Sequence, residues 1–149
     1  MFRYCLLACV VVLFTSLHLV ARQGTSKDRD ALQGTWTVDK LILGGKGAAD
    51  DLTKKLTQVF DGDKIIFKLD KDTILEGQFT LDPSKDPRQI TVTVTGGPDK
   101  GQVRQGIYEI TGETVRTCFF LGDNPGKRPV NFTSNADQQT VVTELRRKK

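Results

Sequence analysis

Over the middle of the chain apolar side chains recur at every second position, in short runs separated by turn residues. Ile65, Phe67 and Leu69 alternate with Lys68 and Asp70. Leu75, Gly77, Phe79 and Leu81 alternate with Glu76, Gln78 and Thr80, and Ile90, Val92 and Val94 with Thr91, Thr93 and Thr95. A period of two turns one side of a strand to an apolar interior and the other to water. Asp70-Lys71-Asp72 and Thr111-Gly112 have hairpin length, and residues 96–101 are rich in glycine; links this short join antiparallel neighbours, whereas parallel pairs need long crossovers. Residues 82–87 hold two prolines without amide donors and read as a loop. Further strands are expected over 34–43, 103–110, 113–121, 130–133 and 139–146. Leu52, Leu56, Val59 and Phe60 stand at helical spacing and predict one short amphipathic helix over 48–60. The fold class is therefore all-β with one short helix: about eight antiparallel strands in an up-and-down barrel, with a β-sandwich as the alternative.

The first residues are set apart from this pattern. Arg3 is followed by residues 4–21 without a formal charge, the layout of an export signal, with cleavage expected after Ala21 and an uncleaved membrane anchor as the alternative. Leu6-Leu7-Ala8-Cys9 has the residue order of a lipoprotein box, but it stands too close to Arg3 for an apolar region of about 7–15 residues to precede it. Residues 22–31 are polar and predict a spacer ending in a helical turn, and 32–149 form one domain. The expected product is exported to the periplasm, the cell envelope or the medium, and is monomeric.

Removing the leader changes the chemical inventory. It takes away the single histidine, His18, together with Cys5 and Cys9, and lowers the formal charge from +4 to +3 by loss of Arg3. Without imidazole, the usual general base and the commonest zinc ligand are missing. Cys118 has no intramolecular partner and sits in an apolar run, where a packed thiol is expected. Asp50, Asp51, Asp61, Asp63, Asp70 and Asp72 lack the spacing of a calcium loop and suit turns. Residues 96–102 have two glycines five apart but no Lys-Ser/Thr pair or following helix to bind phosphate. Asn131-Phe132-Thr133 is an isolated glycosylation sequon, and Arg146 to Lys149 form a cationic end. No catalytic residue, metal ligand or cofactor is expected, and the balanced charge gives no reason for a nucleic-acid partner. Three functions are open: a binder of a small apolar ligand, lined by Phe67, Phe79, Val92 and Phe119; an envelope structural or interaction module; and a hydrolase working through carboxylates alone, for which nothing sets two carboxylates opposite each other.

Several segments, in order, resemble a known group. Residues 30–36 (DALQGTW), Asp82-Pro83-Ser84-Lys85, residues 106–110 (GIYEI) followed by Gly112-Glu113, Cys118-Phe119 and Arg128-Pro129 are similar to the uncharacterised lipocalin-like domain family abundant in planctomycete bacteria. The resemblance spans residues 28–146 and implies an exported or envelope domain without an assigned activity. Gly34-Thr35-Trp36 also resembles the Gly-x-Trp signature of lipocalins. That likeness implies that Trp36 closes one end of the barrel under a late arginine, for which Arg146 is the candidate. The later lipocalin signatures and a cysteine pair are absent.

Overall fold

The alternating segments pair edge to edge until the sheet meets itself. The computed structural model describes residues 17–120 and 126–149; residues 1–16 of the expected leader and residue 121 of the expected sixth strand lie outside them. The strands are β1 (Gly34–Leu43), β2 (Lys46–Gly47), β3 (Leu56–Asp61), β4 (Lys64–Leu69), β5 (Asp72–Asp82), β6 (Arg88–Gly96), β7 (Val103–Thr111), β8 (Thr114–Phe120) and β9 (Thr140–Arg147). The helices are α1 (Leu17–Leu32) and α2 (Asp50–Thr53). Strand order is β1-β3-β4-β5-β6-β7-β8-β9, every pairing is antiparallel, and β9 returns to pair with β1. The two-residue β2 only extends the turn after β1. Closure removes both sheet edges, so the molecule is a lipocalin-like up-and-down barrel and not a sandwich.

Three sequence expectations are corrected. The helix over 48–60 shrinks to the single turn α2; Leu56–Asp61 is strand β3, which fills the gap between β1 and β4. Leu56, Gln58 and Phe60 are buried in alternation with Thr57 and Val59, while Leu52 is exposed. A buried glutamine in the middle of the inward face hid the period of two, and the apolar residues on either side also fit a helix. Residues 130–133 form no strand and lie on the outside of the barrel. Finally, the expected spacer over 22–31 is helical throughout and belongs to the fold, since α1 continues to Leu32 and Asp28 is buried. The strand count agrees with expectation only because β3 replaces the segment at 130–133.

Helix α1 closes one end. Trp36 is fully buried, and its Nε1 donates to Leu32 O at 2.7 Å. The Arg147 guanidinium carbon lies over the indole, 4.3 Å from the ring centroid, and the side chain donates to Gln33 O at 2.8 Å and Ala31 O at 2.5 Å. One arginine thus stacks on the tryptophan and satisfies carbonyls at the helix C-terminus. The sequence candidate, Arg146, is corrected by one position: it points outward and binds Asp39 at 2.6 Å. Register explains the change, because Arg147 is the cross-strand partner of Trp36 and shares its inward face, while Arg146 faces out opposite Thr37. Gly34 has a φ of 112°, and an added Cβ would stand 3.4 Å from Arg147 Nη1, so glycine suits both the left-handed turn out of the helix and the arginine beside it. Gln33 holds the neighbouring β3–β4 turn, accepting from Gly62 N at 2.7 Å and donating to Gly62 O at 3.1 Å.

Farther along α1, Asp28 accepts from the Tyr108 hydroxyl at 2.6 Å and from Arg88 Nη1 at 3.1 Å. These partners stand on β7 and β6, so a single carboxylate ties the helix to two strands. Burial first, then the bond to Asp28, raises the Tyr108 hydroxyl far above its ordinary value.

A second, smaller core lies outside the barrel wall. Ile107, Cys118 and Val142 point outward from β7, β8 and β9, and Phe132 packs over them. Arg128 holds this crossing segment down, donating to Ile90 O at 2.7 Å and Thr91 Oγ1 at 3.0 Å and bonding Gly106 O as well. Ser134 Oγ bridges Gly45 N and Thr140 O at 3.0 and 2.9 Å. Burial pushes the Cys118 thiol up to about 11, partly offset by Arg116. Because the thiolate is the reactive species, Ellman's reagent at pH 8 is expected to label Cys118 on the order of a hundredfold more slowly in the native protein than in denaturant. Equal rates would mean that the segment carrying Phe132 does not cover it.

Candidate functional site

The barrel interior gathers the four side chains expected to line a site. Phe79 and Val92 are buried members of the main apolar cluster, and Phe67 and Phe119 are partly buried and pack against it. Phe79 meets Phe60 edge to face, with centroids 5.3 Å apart and planes at 83°. Phe119 covers Gly106, its cross-strand partner; a Cβ there would stand 2.5 Å from the ring and 2.7 Å from Cys118 O. Glycine at 106 is therefore what allows the ring to lie against the wall.

Strand direction distinguishes the two ends. Trp36, Tyr108 and Phe60 belong to the end closed by α1. β1, β4, β6 and β8 all end at the opposite rim, where the links after β1, β4 and β6 lie and Ala48 packs against the main cluster. Leu43, Leu52, Ile74 and Val103, all in or beside these links, are exposed large apolar side chains. The interior also has a polar minority that the sequence pattern did not reveal. Gln58, Thr117 and Thr143 are buried on inward positions, with Thr117 and Thr143 directly opposite each other. Arg104 shares the inward side, since its cross-strand partner Val92 belongs to the interior cluster. Its position two residues before Gly106 and four before Tyr108 was the available signal, as all three share one face of β7.

Other charged candidates are occupied by local pairs. Outward-facing Glu109, Arg116 and Glu144 line a shallow groove of about 290 Å³ with Thr111 and Thr114. Arg116 binds Glu109 at 2.7 Å and stacks on Phe132, 4.3 Å from its centroid. The cationic end is smaller than its sequence suggests, because Arg146 and Arg147 are engaged with Asp39 and α1 and only Lys148 and Lys149 extend beyond β9. The six aspartates are spread over α2, the ends of β3 and β5 and the turns beside them, and no group of three or more histidine, cysteine, aspartate or glutamate side chains among the described residues is placed to hold a metal. Asn131 accepts from Thr133 N at 3.0 Å, closing a local turn. Among the described residues no helix is long and apolar enough to cross a membrane.

Comparison with known proteins leaves the geometry to stand alone: no family model matches the chain, and no curated protein or solved structure is significantly similar to it.

Proposed function

We infer that this chain is an exported, non-enzymatic, monomeric lipocalin-like domain that takes a small apolar molecule into its barrel. The observation that carries the reading is the convergence of Phe67, Phe79, Val92 and Phe119 on one apolar interior, in a barrel closed by α1 at one end and bounded by links at the other. Small barrels are suited to holding one ligand by apolar contact with a few polar groups to orient it. The exposed apolar residues beside the links give such a molecule a compatible entrance. Export is supported by the uncharged run after Arg3, and the residues that dock α1, from Asp28 onward, follow the expected cleavage point. The ordered motifs between residues 28 and 146 support grouping the chain with the lipocalin-like family abundant in planctomycetes.

Native mass spectrometry of the processed protein purified from its source tests the function. A mass increment released by organic solvent is the expected result. A co-purifying protein in place of a small molecule would favour the envelope-interaction module instead. A bare chain that also fails to take up a fluorescent apolar probe would rule the carrier out.

A further inference from the structure

We propose that the Trp36 end of the barrel is a recognition site for the C-terminal turn of an acidic helix, and that α1 occupies it in cis as a releasable lid. The inference is independent of what the barrel interior holds. Its basis is the direction of the hydrogen bonds across the seam. The barrel side presents donors around an aromatic floor: Tyr108 Oη and Arg88 Nη1 donate to Asp28 at 2.6 and 3.1 Å, and Trp36 Nε1 donates to Leu32 O at 2.7 Å. Arg147 donates to Ala31 O and Gln33 O at 2.5 and 2.8 Å, and Gly62 N to Gln33 Oε1 at 2.7 Å. α1 and the Gln33 that follows it answer with one carboxylate and the carbonyls of the last turn, the negative pole of a helix. Two cations, Arg88 and Arg147, thus face the single carboxylate of Asp28 and those carbonyls. Bonds in the other sense, from Arg29 to Asp63 at 2.6 Å and from Gln33 Nε2 to Gly62 O at 3.1 Å, lie at the exposed margin.

The same seam is suited to opening. Among the described residues of α1 only Leu32 joins the main apolar cluster, so little of the barrel's apolar burial is lost when the helix lifts. The ring of eight strands closes through β1 and β9 without any strand from this segment. Arg29 Nε is buried with no hydrogen-bond partner among the described residues, which weakens the docked state. Gly34, at a φ of 112°, joins the helix to β1 and supplies the pivot. A unit held by few apolar contacts opens at lower free energy than the whole fold. Once α1 lifts, Trp36, Tyr108, Arg88 and Arg147 lose their acceptors together. A helical segment with a carboxylate four residues before a terminal leucine, as Asp28 stands to Leu32, supplies them again.

Amide hydrogen exchange of the processed protein reads the lid. The amides of residues 28–33 are expected to exchange at least about tenfold faster than those of β6 and β9. Equal rates would make helix and barrel one cooperative unit and overturn the proposal. Fluorescence anisotropy of a labelled peptide of residues 22–33 reads the site. So short a peptide becomes ordered only on binding, and the comparison between chains, not the absolute affinity, is what decides. Asp28→Ala weakens the helix in cis, and the native peptide is expected to bind that chain about ten- to a hundredfold more tightly than the unaltered one. Adding Tyr108→Phe to the chain, or placing Asp28→Ala in the peptide, should remove most of that gain. Asp28→Asn drops the charge and keeps one acceptor oxygen, so it gives the same ordering with a smaller difference if Asp28→Ala does not fold. Absence of binding to every chain, equal binding to all of them, or undiminished binding by the altered peptide overturns the recognition site.

Discussion

Trp36→Ala is expected to lower stability by about 3–5 kcal/mol, the range for truncating a large buried aromatic. At this chain length the melting temperature would fall by about 10–20 °C. The size follows from three losses at one place: a fully buried ring, the bond from Nε1 to Leu32 O, and the surface on which Arg147 lies. Trp36→Phe keeps an apolar ring and forfeits the hydrogen bond, so it should cost about 1–2 kcal/mol. Thermal melts followed by far-ultraviolet circular dichroism measure both, which matters because Trp36 is the single tryptophan. A loss below about 1 kcal/mol in the alanine variant would mean that the contact between helix and barrel does not contribute to folding.

Asp28→Ala is the second large effect, about 2–3 kcal/mol, since it strands the Tyr108 hydroxyl and removes the acceptor of Arg88. Arg88 is partly exposed and recovers water, so most of the penalty belongs to Tyr108. Asp28→Ala combined with Tyr108→Phe should therefore be more stable than the sum of the two single losses predicts. Denaturant melts of the four proteins measure that coupling, and strict additivity would show that the hydroxyl and carboxylate do not act together. The same bond has a pH signature. The hydroxyl is raised above its ordinary value of 10.0, so the folded state holds this proton more tightly than the unfolded chain does. Its contribution is complete below pH 10 and is lost as pH rises beyond it, and Tyr108→Phe should flatten that alkaline decline.

Strands with an unbroken period of two were legible. Ile90, Val92 and Val94 alternate without exception and form β6, and the runs around Phe67 and Phe79 became β4 and β5. Phe67, Phe79 and Val92 of the expected lining residues followed from the same alternation, whereas Phe119 stands in a continuous apolar run. β3 was misread because the polar Gln58 occupies an inward position while Leu52, Leu56 and Phe60 also satisfy a helical repeat. For residues 130–133 the reverse holds: Phe132 is apolar but covers Cys118 and Val142 from outside, so its burial says nothing of strand pairing. Arg146 and Arg147 are equivalent as composition, and only the register opposite Trp36 chooses between them.

By itself, the amino-acid sequence determined that this chain makes short antiparallel strands around one apolar interior, because alternation and turn residues act within a few positions. It also placed Phe67, Phe79, Val92 and Phe119 on that interior, whereas Trp36 at its end was implied by the likeness to the Gly-x-Trp signature and not by any periodicity. Tertiary structure alone decided that β9 closes on β1, and that α1 seals the barrel through Asp28, Arg88 and Tyr108. Asp28 is 60 residues from Arg88 and 80 from Tyr108. Contacts that distant depend on register and closure, which sum over the whole sheet and leave no periodic trace in any one segment.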